Sequence, residues 1–289
     1  RMIELAKATG CEYFKWDGLD FDICNDPKHL HGNEHNTAQE REDSYGFLMP
    51  IYMTKIAQRI QKEIPDAIFD FDVTEATRAV GLSFLSVGKY FALNNGPYFH
   101  NYDLGEKHQT PLDNGCNNIF VNPGPARGWI MRSIIDYDKW IPLNLFLTHY
   151  QVDGELNSVN MNVASLILGQ NGIWGDILTL PDENIKHVNN ILTKYKTIKD
   201  DIVQASVKTT GRPGDAIEVY EKINPATGNG TIVIISNEDT DYSYCSYLPC
   251  NEDYWSTQQV RIERSEKGLC KVTAKLEKYN AAIILFGVE

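Results

Sequence analysis

A short segment near the start of the chain, Tyr13-Phe14-Lys15-Trp16-Asp17-Gly18, brings a cation, an indole and a carboxylate together. Glu12 to Trp16 reads as a β-strand, which puts Asp17 at a strand's carboxyl end, where parallel barrels present their catalytic groups. Lys15 has donors for hydroxyl groups, and Trp16 has a flat apolar face able to wall a sugar pocket. Asp17 suits the role of a nucleophile, and equally that of a cap on the following turn. A nucleophilic carboxylate works with a second carboxyl group that gives and then takes a proton. Asp72, Glu75 and Asp103 are the candidates for it. A general acid needs a raised pKa, which apolar surroundings supply. Asp103 has Tyr98, Phe99 and Tyr102 close in sequence.

The elements that must position these groups alternate between strand and helix patterns over the first two thirds of the chain, the signature of βα units and a parallel sheet. Strands are expected at Glu12 to Trp16, Ala67 to Val73, Tyr90 to Leu93, Leu143 to Thr148 and Ile177 to Leu180. Helices are expected at residues 1–10, Gly46 to Ile64, Ala76 to Gly88, Trp129 to Ile135, Val159 to Leu168 and Ile185 to Ile202. Two long polar loops intervene, Asp20 to Asp43 and Asn94 to Pro125; loops of that length tend to be functional. From about Gly211 the pattern changes to short strands with turns between them: Ala216 to Ile223, Gly230 to Ser236, Val272 to Leu276 and Ala281 to Phe286. Residues 1–205 therefore read as a partial (β/α) barrel and residues 206–289 as an antiparallel β-sandwich domain.

The 289 residues carry a net charge of −12 with no Lys/Arg cluster, which disfavours a nucleic-acid partner. No apolar run reaches the roughly 18 residues of a membrane helix. The six cysteines match no zinc spacing, and six free thiols are expected; Cys245 with Cys250, or Cys24 with Cys116, are the conceivable pairs. They leave the compartment open. His29, His31, Glu34 and His35 share one polar loop, but their spacing fits no helix-borne metal motif, so a solvated loop is expected and no metal. No cofactor is called for either.

Lys15-Trp16-Asp17 resembles the nucleophile strand of glycoside hydrolase clan D, especially the family 36 α-galactosidases. In those enzymes Lys-Trp-Asp lies on the fourth barrel strand and the Asp attacks the anomeric carbon. Phe69 to Glu75, with Arg78 and Gly81, is similar to the family's acidic strand end and sugar-contacting Arg. Trp140 to His149 looks like the seventh strand with its terminal His, and Gly169 to Ile177 like the approach to the eighth. The resemblance implies an exo-acting retaining α-glycosidase for α-galactosides or a related N-acetylated sugar. Asp17 would be the nucleophile, and Lys15, Trp16, Arg78, His149 and Asp176 would contact or support the sugar.

Two departures follow. The family's acid/base Asp just after the sixth strand has no counterpart in Leu93-Asn94-Asn95-Gly96-Pro97-Tyr98; Asp103 is the first acid after it, with Glu75 and Asp72 behind. A closed barrel needs eight βα units, and five are visible. They correspond to strands four to eight, so an upstream segment of the same protein, or another chain, is expected to complete the barrel. The rival readings are a carbohydrate-binding protein on a degenerate barrel, and a non-enzymatic subunit that completes its barrel with a partner.

Overall fold

The computed structural model describes residues 1–16, 24–72, 84–88, 90–93, 132, 135, 138, 141–151, 156–168, 170–174 and 180–288. The chain divides into two compact units, Arg1–Tyr98 and Phe99–Glu289. The expected helices at Ala76 to Gly88 and Trp129 to Ile135 fall largely outside the described residues. Phe84 to Gly88 is turn-like rather than regular helix.

In the first unit, helix α1 (Met2–Thr9) stops at Gly10, whose φ of 73° is the left-handed conformation that glycine adopts at little cost. Strand β1 (Tyr13–Trp16) follows, then the long helix α2 (Ala38–Glu63), β2 (Ile68–Asp72) and β3 (Tyr90–Leu93). The three strands are parallel, with Lys15 opposite Asp70 and Asp72 opposite Ala92. Lys7 ties α1 to the end of α2 by donating to Glu63 at 2.7 Å.

Helix α2 begins well before Gly46, inside what the sequence pattern suggests is loop. Its start is set by a capping box. Thr37 Oγ1 accepts from the Glu40 N–H at 3.2 Å, and Glu40 Oε2 accepts from the Thr37 N–H at 2.8 Å. The first turns of α2 are polar, so apolar periodicity does not reach them.

In the second unit, a 3-10 turn (Leu143–Leu145) leads into β4 (Phe146–Gln151), helix α3 (Leu156–Leu166), β5 (Gln170–Trp174) and helix α4 (Asp182–Gln204). Strands β4 and β5 are parallel. The strand after α3 is thus Gln170–Trp174. Residues 177–179 of the strand expected at Ile177 to Leu180 lie outside the described residues, and Leu180 is a bend. A segment with Gln170, Asn171 and Gly172 lacks the β-branched run that marks a strand; its pairing partner β4 defines it instead.

Eight further strands complete this unit: β6 (Lys208–Thr210), β7 (Ile217–Ile223), β8 (Gly230–Ser236), β9 (Thr240–Pro249), β10 (Tyr254–Ser256), β11 (Val260–Arg264), β12 (Leu269–Leu276) and β13 (Asn280–Phe286). They form an antiparallel five-stranded sheet in the order β10-β13-β8-β7-β6 and a three-stranded sheet in the order β11-β12-β9. Val219, Ile232, Ile234, Ile284 and Phe286 of the larger sheet meet Tyr244, Val272, Ala274 and Leu276 of the smaller one in a single apolar core. Helices α3 and α4 cover the opposite face of the larger sheet. Burial on both faces explains the unbroken apolar runs of β8 and β13. Strand β9 alternates buried and exposed residues, with Tyr and Ser in place of a β-branched run, and is not among the strands expected from the sequence.

One ion pair sits inside this layering. Arg132 is 1% exposed and Glu218, on β7, is fully buried. The guanidinium donates to both carboxylate oxygens of Glu218, from Nη2 at 2.7 Å and from Nε, and Nη1 donates to Ser165 Oγ of α3 at 2.9 Å. Tyr220 OH (2.6 Å) and the Gly214 N–H (2.8 Å) also donate to Glu218. Burial opposes the charge on Arg132 most strongly, yet Glu218 and Tyr220 together overcome it and raise the pKa. Arg132→Met should lower stability by about 3–5 kcal/mol, because it strands a buried carboxylate, and a second change, Glu218→Leu, should recover much of the loss. Urea unfolding of the single and double variants measures both.

Lys222, on the same strand, is 2% exposed. Burial pulls its pKa down to about 8, with the Asp138 carboxylate pushing the other way. The folded-state value lies below the unfolded one, so between about pH 8 and 10.5 the unfolded chain holds a proton the native chain has released, and stability from this group rises with pH. Lys222→Met should therefore gain most over the parent near pH 7, and the gain should shrink towards pH 10. Urea unfolding of both proteins across that range gives the comparison.

Candidate functional site

The sequence places the chemistry at the carboxyl ends of β1 and β2, and the two faces of these strands differ sharply. Neighbouring parallel strands in register point their paired residues to the same side. On one side stand Phe14 with Phe69 and Trp16 with Phe71. Phe14 stacks on Phe69 with centroids 5.4 Å apart, and Trp16 meets Phe69 and Phe71 edge-on at 4.9 and 5.4 Å. Phe71 stacks on Phe84 at 4.5 Å, and a Cβ at Gly88 would come within 3.0 Å of the Phe71 ring. These rings pack along one face of the hydrogen-bonded β1–β2 pair.

The other side is polar. Lys15 is opposite Asp70 in register and is exposed at its end of the strand. Asp70 is 1% exposed and accepts a 2.5 Å hydrogen bond from the Tyr13 hydroxyl. Asp72, two residues on, closes β2. The strand pair therefore carries a basic and an acidic residue side by side, anchored from behind by apolar packing. Among the expected sugar contacts, Trp16 is half-buried with its ring engaged by Phe69 and Phe71, which gives it a packing role in β1.

Asp17 follows the last residue of β1. Together with Glu75, Arg78, Asp103 and Asp176 it lies outside the described residues. His149 lies on β4, in register with Gly172 of β5. The described residues thus fix the strand that precedes Asp17 and the strand that ends at Asp72. Asp70 has no place among the acids that sequence reasoning singles out. The alternation Phe69-Asp70-Phe71-Asp72 is the signal that would have found it, since period two puts both acids on one face.

The polar loop before α2 holds a second constellation. Cys24 Sγ lies 3.2 Å from His29 Nδ1 and 3.2 Å from His31 Nε2. Spacing along the chain does not show that Cys24 joins two histidines of its own loop. The cysteines among the described residues, Cys11, Cys24, Cys245, Cys250 and Cys270, are free thiols, so Cys245 and Cys250 are not bridged; Cys116 lies outside those residues.

No family model matches this sequence, and no curated protein matches it. Solved structures do match. The α-galactosidase from Lactobacillus brevis superposes with a TM-score of 0.62 at 12% identity, over 100% of this chain and 37% of that one. The galactosidase domain of an α-galactosidase–sucrose kinase gives 0.61 at 13% identity, over 99% and 36%. The family 36 α-galactosidase AgaA from Geobacillus stearothermophilus gives 0.58 at 12%, over 99% and 37%. The chain thus resembles family 36 α-galactosidases in fold along its whole length, and spans a little over a third of theirs. Among the described residues, no helix is long and apolar enough to cross a membrane.

The Tyr13–Asp70 contact can be probed directly. Tyr13→Phe removes a donor from a buried carboxylate and should cost about 1–3 kcal/mol in urea unfolding, whereas Tyr52→Phe, on the surface of α2, should change little.

Proposed function

We propose that this chain is the C-terminal part of a retaining exo-α-glycosidase of the α-galactosidase type. Residues 1–205 supply about strands four to eight of a (β/α)8 barrel, and residues 206–289 supply its β-sandwich. The observation that carries the reading is β1 itself: a parallel strand ending in Lys15 and Trp16, which Asp17 follows in sequence, within a fold similar to family 36 α-galactosidases. An upstream segment, or another chain, supplies the remaining barrel strands.

In this reading Asp17 attacks the anomeric carbon of a terminal α-linked sugar while a second carboxylic acid protonates the departing oxygen. The glycosyl–enzyme ester then reacts with water, activated by the same group, now a base. Asp103 takes that role first, with Glu75 and Asp72 as its alternates. Lys15, Arg78, His149 and Asp176 bond or orient the sugar, and Trp16 holds the nucleophile strand in place. Asp70 steadies the strand pair from the same polar face. The substrate is an oligosaccharide or glycoconjugate.

A second reading has one observation in its favour. Leu93 to Tyr98, where an acid would be placed after β3, contains no carboxylate. A chain without a competent acid would bind sugar and not cleave it.

The test uses the complete protein and nitrophenyl α-galactoside. Asp17→Asn should reduce turnover by about 10³-fold or more with the circular dichroism spectrum unchanged. Full activity in that variant would overturn the assignment of Asp17. Galactoside binding by the parent protein with no turnover would favour the binding protein.

A further inference from the structure

We propose that Cys24, His29 and His31 bind one zinc-class divalent cation through Sγ, Nδ1 and Nε2. Each offers a ligand atom, and the three atoms lie within 4.8 Å of one another. The inference is independent of the glycosidase reading, since no residue of the cluster takes part in it.

The distances fit. Zinc bonds of roughly 2.3 Å to sulfur and 2.0–2.1 Å to nitrogen, at a tetrahedral angle, put sulfur and nitrogen about 3.5 Å apart. Both sulfur–nitrogen separations here are 3.2 Å, and the two nitrogens, within 4.8 Å of one another, close to roughly 3.3 Å when both rings turn onto one ion. The donor set also fits. A thiolate with two imidazoles suits zinc and its spectroscopic substitute cobalt, and discriminates against magnesium and calcium, which take oxygen.

The outer partners of the two rings supply the second, separate argument. His31 Nδ1 lies 3.0 Å from the Arg41 carbonyl oxygen. A carbonyl can only accept, so Nδ1 carries the proton and Nε2 presents its lone pair to Cys24. His29 turns its far nitrogen, Nε2, towards Asp26 Oδ2 at 3.8 Å. That is an ion-pair separation, longer than a hydrogen bond; it orients the ring so that Nδ1 faces Cys24. Asp26 is itself fixed, accepting from the Lys28 N–H at 2.9 Å. Histidines that ligate metals are oriented in this way, by a carbonyl or carboxylate on the ring nitrogen that faces away. A thiol has one proton and can satisfy one of two facing nitrogens; a cation satisfies both together with the sulfur.

The cluster runs from a buried imidazole to an exposed one, His29. His31 is 8% exposed, and its ring meets Tyr45 of α2 edge-on at 5.2 Å. His29 and His31 border a cleft of about 360 Å³ whose other walls include Leu48, Met49 and Tyr52. Three protein ligands leave the fourth position to water or to a group entering that cleft.

Cobalt binding to the purified protein, after treatment with a chelator, gives the direct readout. The expected result is saturation at one equivalent, with intense visible bands of tetrahedral cobalt and a sulfur-to-cobalt charge-transfer band in the near ultraviolet. Zinc should displace both. Cys24→Ser should lose the charge-transfer band, and His35→Gln, a histidine of the same loop outside the cluster, should keep it. Absence of the band from the parent, or its persistence in Cys24→Ser, would overturn the proposal. Should Cys24→Ser fail to fold, alkylation of the parent decides: zinc should slow modification of Cys24 at least about tenfold while Cys11, exposed and remote in sequence, reacts unchanged. Equal slowing at both cysteines, or at neither, would count against the site.

Discussion

The second unit depends on a charge that cannot reach water. A guanidinium in a fully buried setting costs several kcal/mol of desolvation, and only a matched carboxylate with further hydrogen bonds offsets it. Glu218 provides the carboxylate, Tyr220 and Gly214 occupy its remaining lone pairs, and Ser165 Oγ accepts a hydrogen bond from the guanidinium. The network joins a helix, a central strand and the turn before it. Apolar contacts would tolerate a small slide of α3 across the sheet; directional bonds to Ser165 do not. The Arg132–Glu218 pair therefore fixes the layering that hydrophobic burial only favours.

A second network does the same on the opposite side of the larger sheet. Glu221, also buried on β7, accepts from Tyr244 OH at 2.9 Å and from the N–H groups of Tyr247 and Leu248 at 2.9 and 3.0 Å. It links the two sheets of the sandwich across their apolar core. Asp201, near the end of α4, is bonded by Asn224, Thr227 and Asn229 of the β7–β8 turn. Thus β7 and the turn after it connect to a helix, the opposite sheet and the ion pair. In the first unit the division of labour is between strand faces: one side of β1 and β2 is an aromatic column, the other presents polar groups.

Much of this architecture was legible in the sequence because it rests on local pattern. The runs Thr231 to Ile235 and Ala281 to Phe286 declare buried strands, and Pro181-Asp182-Glu183 announces α4. What escaped depends on partners. The polar first turns of α2 needed the Thr37–Glu40 box to be noticed. Strand β5 has a weak composition and exists because β4 pairs with it. Arg132 and Glu218 stand 86 residues apart, and nothing near either announces the other. Around the candidate site, Lys15-Trp16-Asp17 is visible through its likeness to a known motif, whereas the burial of Asp70 and its bond to Tyr13, 57 residues away, are set by the pairing of β1 with β2. The histidines of the polar loop were seen; Cys24 as their companion was not, since chain folding and not spacing brings them together.

The order of the larger sheet also governs how the chain can reach it. Strand β13 lies between β10 and β8, so Ile232 finds its partner Ile284 only after the whole of β9 to β12 has been made. Until then β8 presents an apolar edge with its hydrogen-bonding groups open. Pairings this distant in sequence form slowly and invite association with other chains while they wait. The second unit should therefore acquire its native sheet late, with β7 and β8 as an early hairpin and β13 as the strand that closes it, and conditions that prolong the wait should favour aggregation over misfolding of the finished protein.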